Sequence, residues 1–124
     1  VRPRAFGWFP GGPAAAVAAE LAAGKVPRAG WPPRGVEVAE IKGEVGSVCM
    51  GFAELVDAGQ LAHSGDPMLD AHVAAAERQR QGDVWRVGRR GAGHCDGVYA
   101  AAGAVHLART LPAPARSRKR RQFT

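Results

Sequence analysis

AFGWFPGGPAAAVAAELAAG, residues 5–24, followed after a loop by VEVAEI, residues 36–41, decides how this chain is read. Ala5 to Phe9 is a short apolar run carrying Phe6, Trp8 and Phe9. Pro10, Gly11, Gly12 and Pro13 close it, because adjacent prolines and glycines break extended backbone. The run reads as a buried strand entering a turn. Pro13 suits the first turn of a helix, where its missing N–H has no intrahelical partner to lose. Ala14 to Ala23 are almost all helix formers, and Gly24 is the natural stop. Lys25 to Gly35 holds three prolines and two glycines and is a loop. Val36, Val38 and Ile41, with Glu37 and Glu40 between them, then give a second strand. Strand, helix, strand makes the fold class α/β.

The pattern continues outward from this unit. From Glu44, the apolar residues Val45, Val48, Phe52 and Leu55 recur at steps of three and four, one face of a second helix that ends at Gly59. Ser64-Gly65-Asp66-Pro67 has the chemistry of a helix start. Met68, Leu69, Val73 and Ala76 predict a third helix running to about Gln79. Gln81-Gly82-Asp83 turns the chain into Val84 to Arg90, where Val84, Arg86 and Gly88 alternate with Trp85, Val87 and Arg89 as in a half-exposed strand. Gly91-Ala92-Gly93 breaks that strand. Asp96 is placed to cap a last helix, whose Val98, Ala101, Ala102, Val105 and Ala108 form a small-residue face before Leu111-Pro112 stops it.

The chain has 124 residues, 46% hydrophobic and 23% charged, about one domain's worth in globular proportion. Aromatic residues are only 6%, so the core has to be built from small side chains packed backbone-close. Nothing approaches the roughly 20 apolar residues of a membrane span, and Val1 to Arg4 does not resemble a secretory signal. The expectation is a cytoplasmic protein without a membrane partner. The start at Val1 reads as a fragment of something longer. The net charge is +6, from 17 basic and 11 acidic residues. Arg116, Arg118, Lys119, Arg120 and Arg121 supply five of those basic groups, which leaves residues 1–115 at +1. A disordered basic tail over residues 112–124, able to attract phosphates through Lys119 and Arg120, is therefore set apart from a domain over residues 1–111. Two cysteines, Cys49 and Cys95, make no disulfide framework and no C-x-x-C pair. His63, His72, His94 and His106 lack the close spacing of a structural zinc site.

His94-Cys95-Asp96-Gly97-Val98-Tyr99 places a carboxylate at a helix start just after a basic strand. Asp96 has two readings: a helix cap and nothing more, or a hard oxygen ligand for Mg²⁺ or Mn²⁺. Two-ion cleavage of a phosphodiester needs several carboxylates around ions roughly 4 Å apart, and one Asp cannot supply them. Arg78, Arg80, Arg86, Arg89 and Arg90 surround this segment in sequence. They read either as a solvated edge kept from aggregating by charge or as contacts to a DNA backbone.

Taken in order, Trp8-Phe9-Pro10-Gly11-Gly12-Pro13-Ala14-Ala15, Cys49-Met50-Gly51-Phe52, Gly59-Gln60-Leu61-Ala62-His63, Gly65-Asp66-Pro67-Met68-Leu69 and Asp96-Gly97-Val98-Tyr99-Ala100-Ala101-Ala102-Gly103-Ala104 resemble the carboxy-terminal nuclease domain of tailed-phage terminase large subunits. The likeness spans roughly residues 5–112. It implies the back half of an RNase H-like fold, with a small mixed sheet flanked by helices. It also implies a metal-dependent endonuclease that cuts concatemeric double-stranded DNA for viral genome packaging in a bacterial host. It is this resemblance that favours DNA contact for Arg86, Arg89 and Arg90. In the intact protein its partners would be an ATPase domain, the small terminase subunit and the portal.

Within that likeness, Asp96 matches the third catalytic acid, a ligand of Mg²⁺ or Mn²⁺. The first acid belongs to a strand that would precede Val1. The position of the second, just before Pro10, is Phe9 here, and a phenyl ring cannot ligate Mg²⁺. By element order Glu44, or less directly Glu40, stands nearest as a substitute, although an acid in the first turn of a helix is also favoured simply by the dipole. No G-x-x-x-x-G-K-[ST] loop occurs, so the motor is absent, and the chain alone is expected to be inactive. Two other readings stand beside this one: a truncated, non-catalytic protein that binds nucleic acid or a packaging partner through its tail, and a prophage remnant.

Overall fold

A computed structural model describes residues 3–12, 14–24, 31–43 and 45–112; Pro13, Glu44 and residues 113–124 of the basic tail, with Lys119 and Arg120, lie outside the described residues. Strand β1 (Ala5–Trp8) and strand β2 (Glu37–Glu40) run parallel, Ala5 opposite Glu37 and Trp8 opposite Glu40. Parallel neighbours cannot be joined by a tight turn, and helix α1 (Ala15–Ala22) occupies the crossover between them. The amides of Glu37 and Ile41 extend the ladder at its two ends, donating to the carbonyls of Arg4 at 2.9 Å and Trp8 at 2.8 Å. Trp31 stands edge-on to Phe6 with ring centroids 5.4 Å apart, and its Nε1–H donates to the Leu21 carbonyl at 3.3 Å. One indole thus ties the end of α1 to the sheet.

The expected second helix forms as α2 (Val45–Asp57), with Val48 and Cys49 buried and Val45 and Phe52 packed beside them. The third differs from the reading above. Helix α3 (Pro67–Ala74) stops after two turns, and the residues expected to continue it form strand β3 (Ala76–Gln81). Glu77 to Gln81 contain no apolar side chain that could hold a helical face against the core. Their backbone instead pairs antiparallel with β4 (Val84–Arg89), Gln81 opposite Val84 and Ala76 opposite Arg89. Gly82, at φ 64°, takes the first turn position of the two-residue hairpin, where a Cβ would be disfavoured. The strands therefore make two separate two-stranded sheets, one parallel and one antiparallel, where a single mixed sheet was expected.

Helix α4 (Asp96–Thr110) packs against α2, α3 and β1. It packs closely because a glycine stands opposite a large apolar side chain at each contact. A Cβ on Gly7 would lie 2.4 Å from Leu107 Cδ1, and one on Gly103 would lie 2.8 Å from Ile41 Cδ1 and 3.2 Å from the Phe9 ring. Two buried clusters result. Ile41, Val48 and Ala102 sit beneath the parallel sheet, while Cys49, Val87, Cys95 and Val98 sit beneath the hairpin. Phe52 packs against both. No helix among the described residues is long and apolar enough to cross a membrane.

Ile41 is 3% exposed at the junction of β2, α2 and α4. Truncating a buried Ile removes apolar area and leaves a cavity, so Ile41→Ala is expected to lower the unfolding free energy by about 2–4 kcal/mol in urea titration.

Candidate functional site

Arg90, just beyond β4, donates its amide to the Ala75 carbonyl at 2.6 Å, and Gly93 then turns back to the Arg90 carbonyl at 3.2 Å. The chain is delivered to Cys95, the residue that precedes α4, and Asp96 is the first residue of the helix. The expectation that Asp96 caps α4 is not met: the cap position belongs to Cys95, which offers no side-chain hydrogen bond. The amide that a cap would satisfy, Gly97 N–H, donates at 2.7 Å to Nδ1 of His72 on α3. Asp96 itself is exposed. A real Asp cap exists elsewhere, where Asp66 Oδ1 accepts from Met68 N–H at 2.8 Å and Leu69 N–H at 3.2 Å ahead of Pro67.

The arginines do not share one surface. Residues directly opposed across an antiparallel pair lie on the same face, so Arg86, opposite Gln79, is on one side of the hairpin and Arg89, opposite Ala76, is on the other. The missed strand β3 adds to the second side. Arg78 and Arg80 share it with Arg89, and the Arg78 guanidinium lies 4.6 Å from the centre of the Trp85 ring. Arg90 approaches Glu77 at 3.8 Å, both side chains well exposed, a contact of little energetic weight in water.

Behind Asp96 the buried groups are held neutral. Burial pushes the Cys95 thiol up, the neighbouring Asp96 charge pushes it further, and Arg89 pulls it partly back. Burial likewise raises Cys49, opposed by a hydrogen bond with the Val87 backbone, and raises the Tyr99 phenol, whose hydroxyl donates to the Val87 carbonyl. Thiols in this state are poor nucleophiles at neutral pH. Glu44, Lys119 and Arg120 lie outside the described residues, so the placing of the second acid and of the tail is not part of this geometry.

Two hollows open between the helices. The larger, an apolar groove of about 740 Å³, is lined by Phe52, Leu61, Leu69, Val73 and Val98 and edged by Asp70 and Arg90. The smaller, of about 250 Å³, lies between α2 and α4 beside Ser47, His106 and Arg109. Neither includes Asp96, Arg86 or Arg89 in its walls. Among the described residues no three of His, Cys, Asp and Glu converge on a point where a metal ion could sit. Asp96 offers a single carboxylate, and the described residues do not by themselves fit a two-ion site. Comparison with protein-family models, with curated proteins and with solved structures gives no match to this chain.

His72 is the participant that sequence reading missed. It sits 25 residues before its partner on a different helix, and no local spacing marks the pair. Two outcomes follow from the site. Asp66→Ala is expected to cost about 1 kcal/mol of stability through the lost cap, whereas Asp96→Ala is expected to cost only about 0.3 kcal/mol, the dipole contribution of an acid in the first turn; paired urea titrations check the contrast. The second concerns pH. Cys49, Cys95 and Tyr99 are favoured in their neutral forms by folding, and unfolded thiols lose protons near pH ~8.5 and phenols near ~10. The unfolded chain therefore binds fewer protons at high pH. This contribution to stability is whole below about pH 8 and is lost as pH rises through 9 to 11, so the urea midpoint should fall over that interval.

Proposed function

We propose that this chain is the carboxy-terminal part of an RNase H-like nuclease domain of the kind found in terminase large subunits, acting on double-stranded DNA. Two things support the reading: the ordered motifs from Trp8 to Ala104, and a βαβ unit followed at the end by an acid opening the last helix. The observation that carries it is Asp96, an exposed carboxylate in the first turn of α4 that does not serve as that helix's cap.

In this reading Asp96 gives one oxygen ligand to a divalent cation, Mg²⁺ or Mn²⁺, and Glu44 is the candidate for a second carboxylate. Such an ion would supply activated water and charge neutralisation at a phosphodiester. Because the described residues provide only one ligand, no hydrolytic step is assigned to them. Arg86 and Arg89, on opposite faces of the β3–β4 hairpin, attract the phosphate backbone from either side. Lys119 and Arg120 add sequence-independent affinity. A cytoplasmic setting in a bacterial host, with an ATPase domain, a small terminase subunit and a portal as partners, belongs to the same proposal.

A second reading is a non-catalytic DNA-binding chain that works through its tail. The five basic residues between positions 116 and 121 favour it. The two separate by experiment. In the complete protein with Mn²⁺, Asp96→Ala is expected to reduce cleavage of linear DNA about a hundredfold or more; unchanged cleavage removes Asp96 from the chemistry. In the 124-residue chain, Arg86→Ala and Arg89→Ala should each reduce the slope of log affinity against log salt by about 0.9. Affinity that vanishes on deleting residues 116–121 and ignores both arginines supports the tail-only reading.

A further inference from the structure

We infer that His72 is a positioning residue for Asp96, acting through the Gly97 amide; the inference rests on the reading of Asp96 as the functional acid. His72 lies in the last turn of α3 and is half-buried, while α3 packs along α4. Its Nδ1 accepts Gly97 N–H at 2.7 Å, so in the ring state that makes this bond the hydrogen sits on Nε2. The adjoining amides are also engaged. Val98 N–H and Tyr99 N–H both donate to the Cys95 carbonyl, at 3.0 and 3.4 Å.

The first amides of a helix are its unsatisfied donors, and a nearby Asp side chain is the usual acceptor. Here the three amides that follow Asp96 have other partners, and none is left to draw its carboxylate back onto the helix. Residue 97 is matched to this arrangement. A Cβ there would stand 2.9 Å from His72 Nδ1, so a side chain at 97 and the imidazole compete for one space. The His94 ring lies 6.1 Å from that of His72. The histidine thus does the capping work from a neighbouring element and leaves the acid outward and uncommitted.

The test reads two quantities by NMR on the labelled full chain: exchange protection of the Gly97 amide, and the Asp96 χ1 population from three-bond couplings to its carboxyl carbon. His72→Ala is expected to lower Gly97 protection about fivefold, the scale of one net hydrogen bond, and to shift Asp96 toward the rotamer that folds onto its own first turn. His72→Asn, whose amide oxygen takes the place of Nδ1, is expected to restore both. His72→Gln, which carries its oxygen one methylene too far, is expected to restore neither, and the Asn–Gln contrast decides the matter if the Ala variant does not fold. Unchanged Gly97 protection in the variants lacking the acceptor overturns the proposal. So does altered protection with Asp96 rotamers unmoved, which would leave His72 a purely structural cap. Mn²⁺ added alone tests the underlying reading separately. Broadening of the Gly97 to Tyr99 resonances that persists in Asp96→Asn removes Asp96 as a ligand without touching the His72 result.

Discussion

A pair of strands in water is marginal, and the described residues form two such pairs with no ladder joining them. What holds them in one body is the packing of α4 against α2. Phe52 reaches both buried clusters, Ala102 and Gly103 let α4 approach the parallel sheet, and Val98 and Cys95 close over the hairpin. With few aromatic side chains, closeness replaces bulk: Gly7 of β1 leaves room for Leu107 of α4, and Gly103 of α4 leaves room for Ile41 and the Phe9 ring. The same helix carries Asp96 at its start, so the geometry of the candidate site is inherited from the core.

Where β1–α1–β2 was read from an apolar run, a proline and glycine stop and a run of alanines, local chemistry and tertiary packing agree, and the elements stand within a residue or two of their expected ends. Helix α2 was legible for the same reason, since Val45, Val48 and Phe52 repeat at the helical period. Strand β3 was not. Glu77 to Gln81 have no apolar period of their own, and the strand exists because β4 supplies hydrogen-bonding partners and a surface for Ala76.

The site divides in the same way. Asp96 at the start of the last helix was readable, because a glycine break precedes it and a small-residue helix follows. Its freedom from capping was not, since that depends on His72, which the chain brings in from another helix. The alternation along β4 already set Arg86 and Arg89 on opposite faces, but that Arg78 and Arg80 stand with Arg89 needed the register of a strand the sequence did not announce. The candidate acid and the histidine proposed to orient it thus come from different ranges of the chain, and only the shorter range leaves a pattern.

The central claim is that the Asp96 carboxylate is held outward to share a cation at a DNA backbone. Anomalous diffraction at the manganese edge, from crystals of the complete protein grown with Mn²⁺, tests it most directly. The account predicts a peak about 2.1 Å from an Asp96 carboxylate oxygen, accompanied by at least one further acid from beyond the described residues. A peak bound by other acids, with Asp96 turned onto the amides of its own helix, would contradict it.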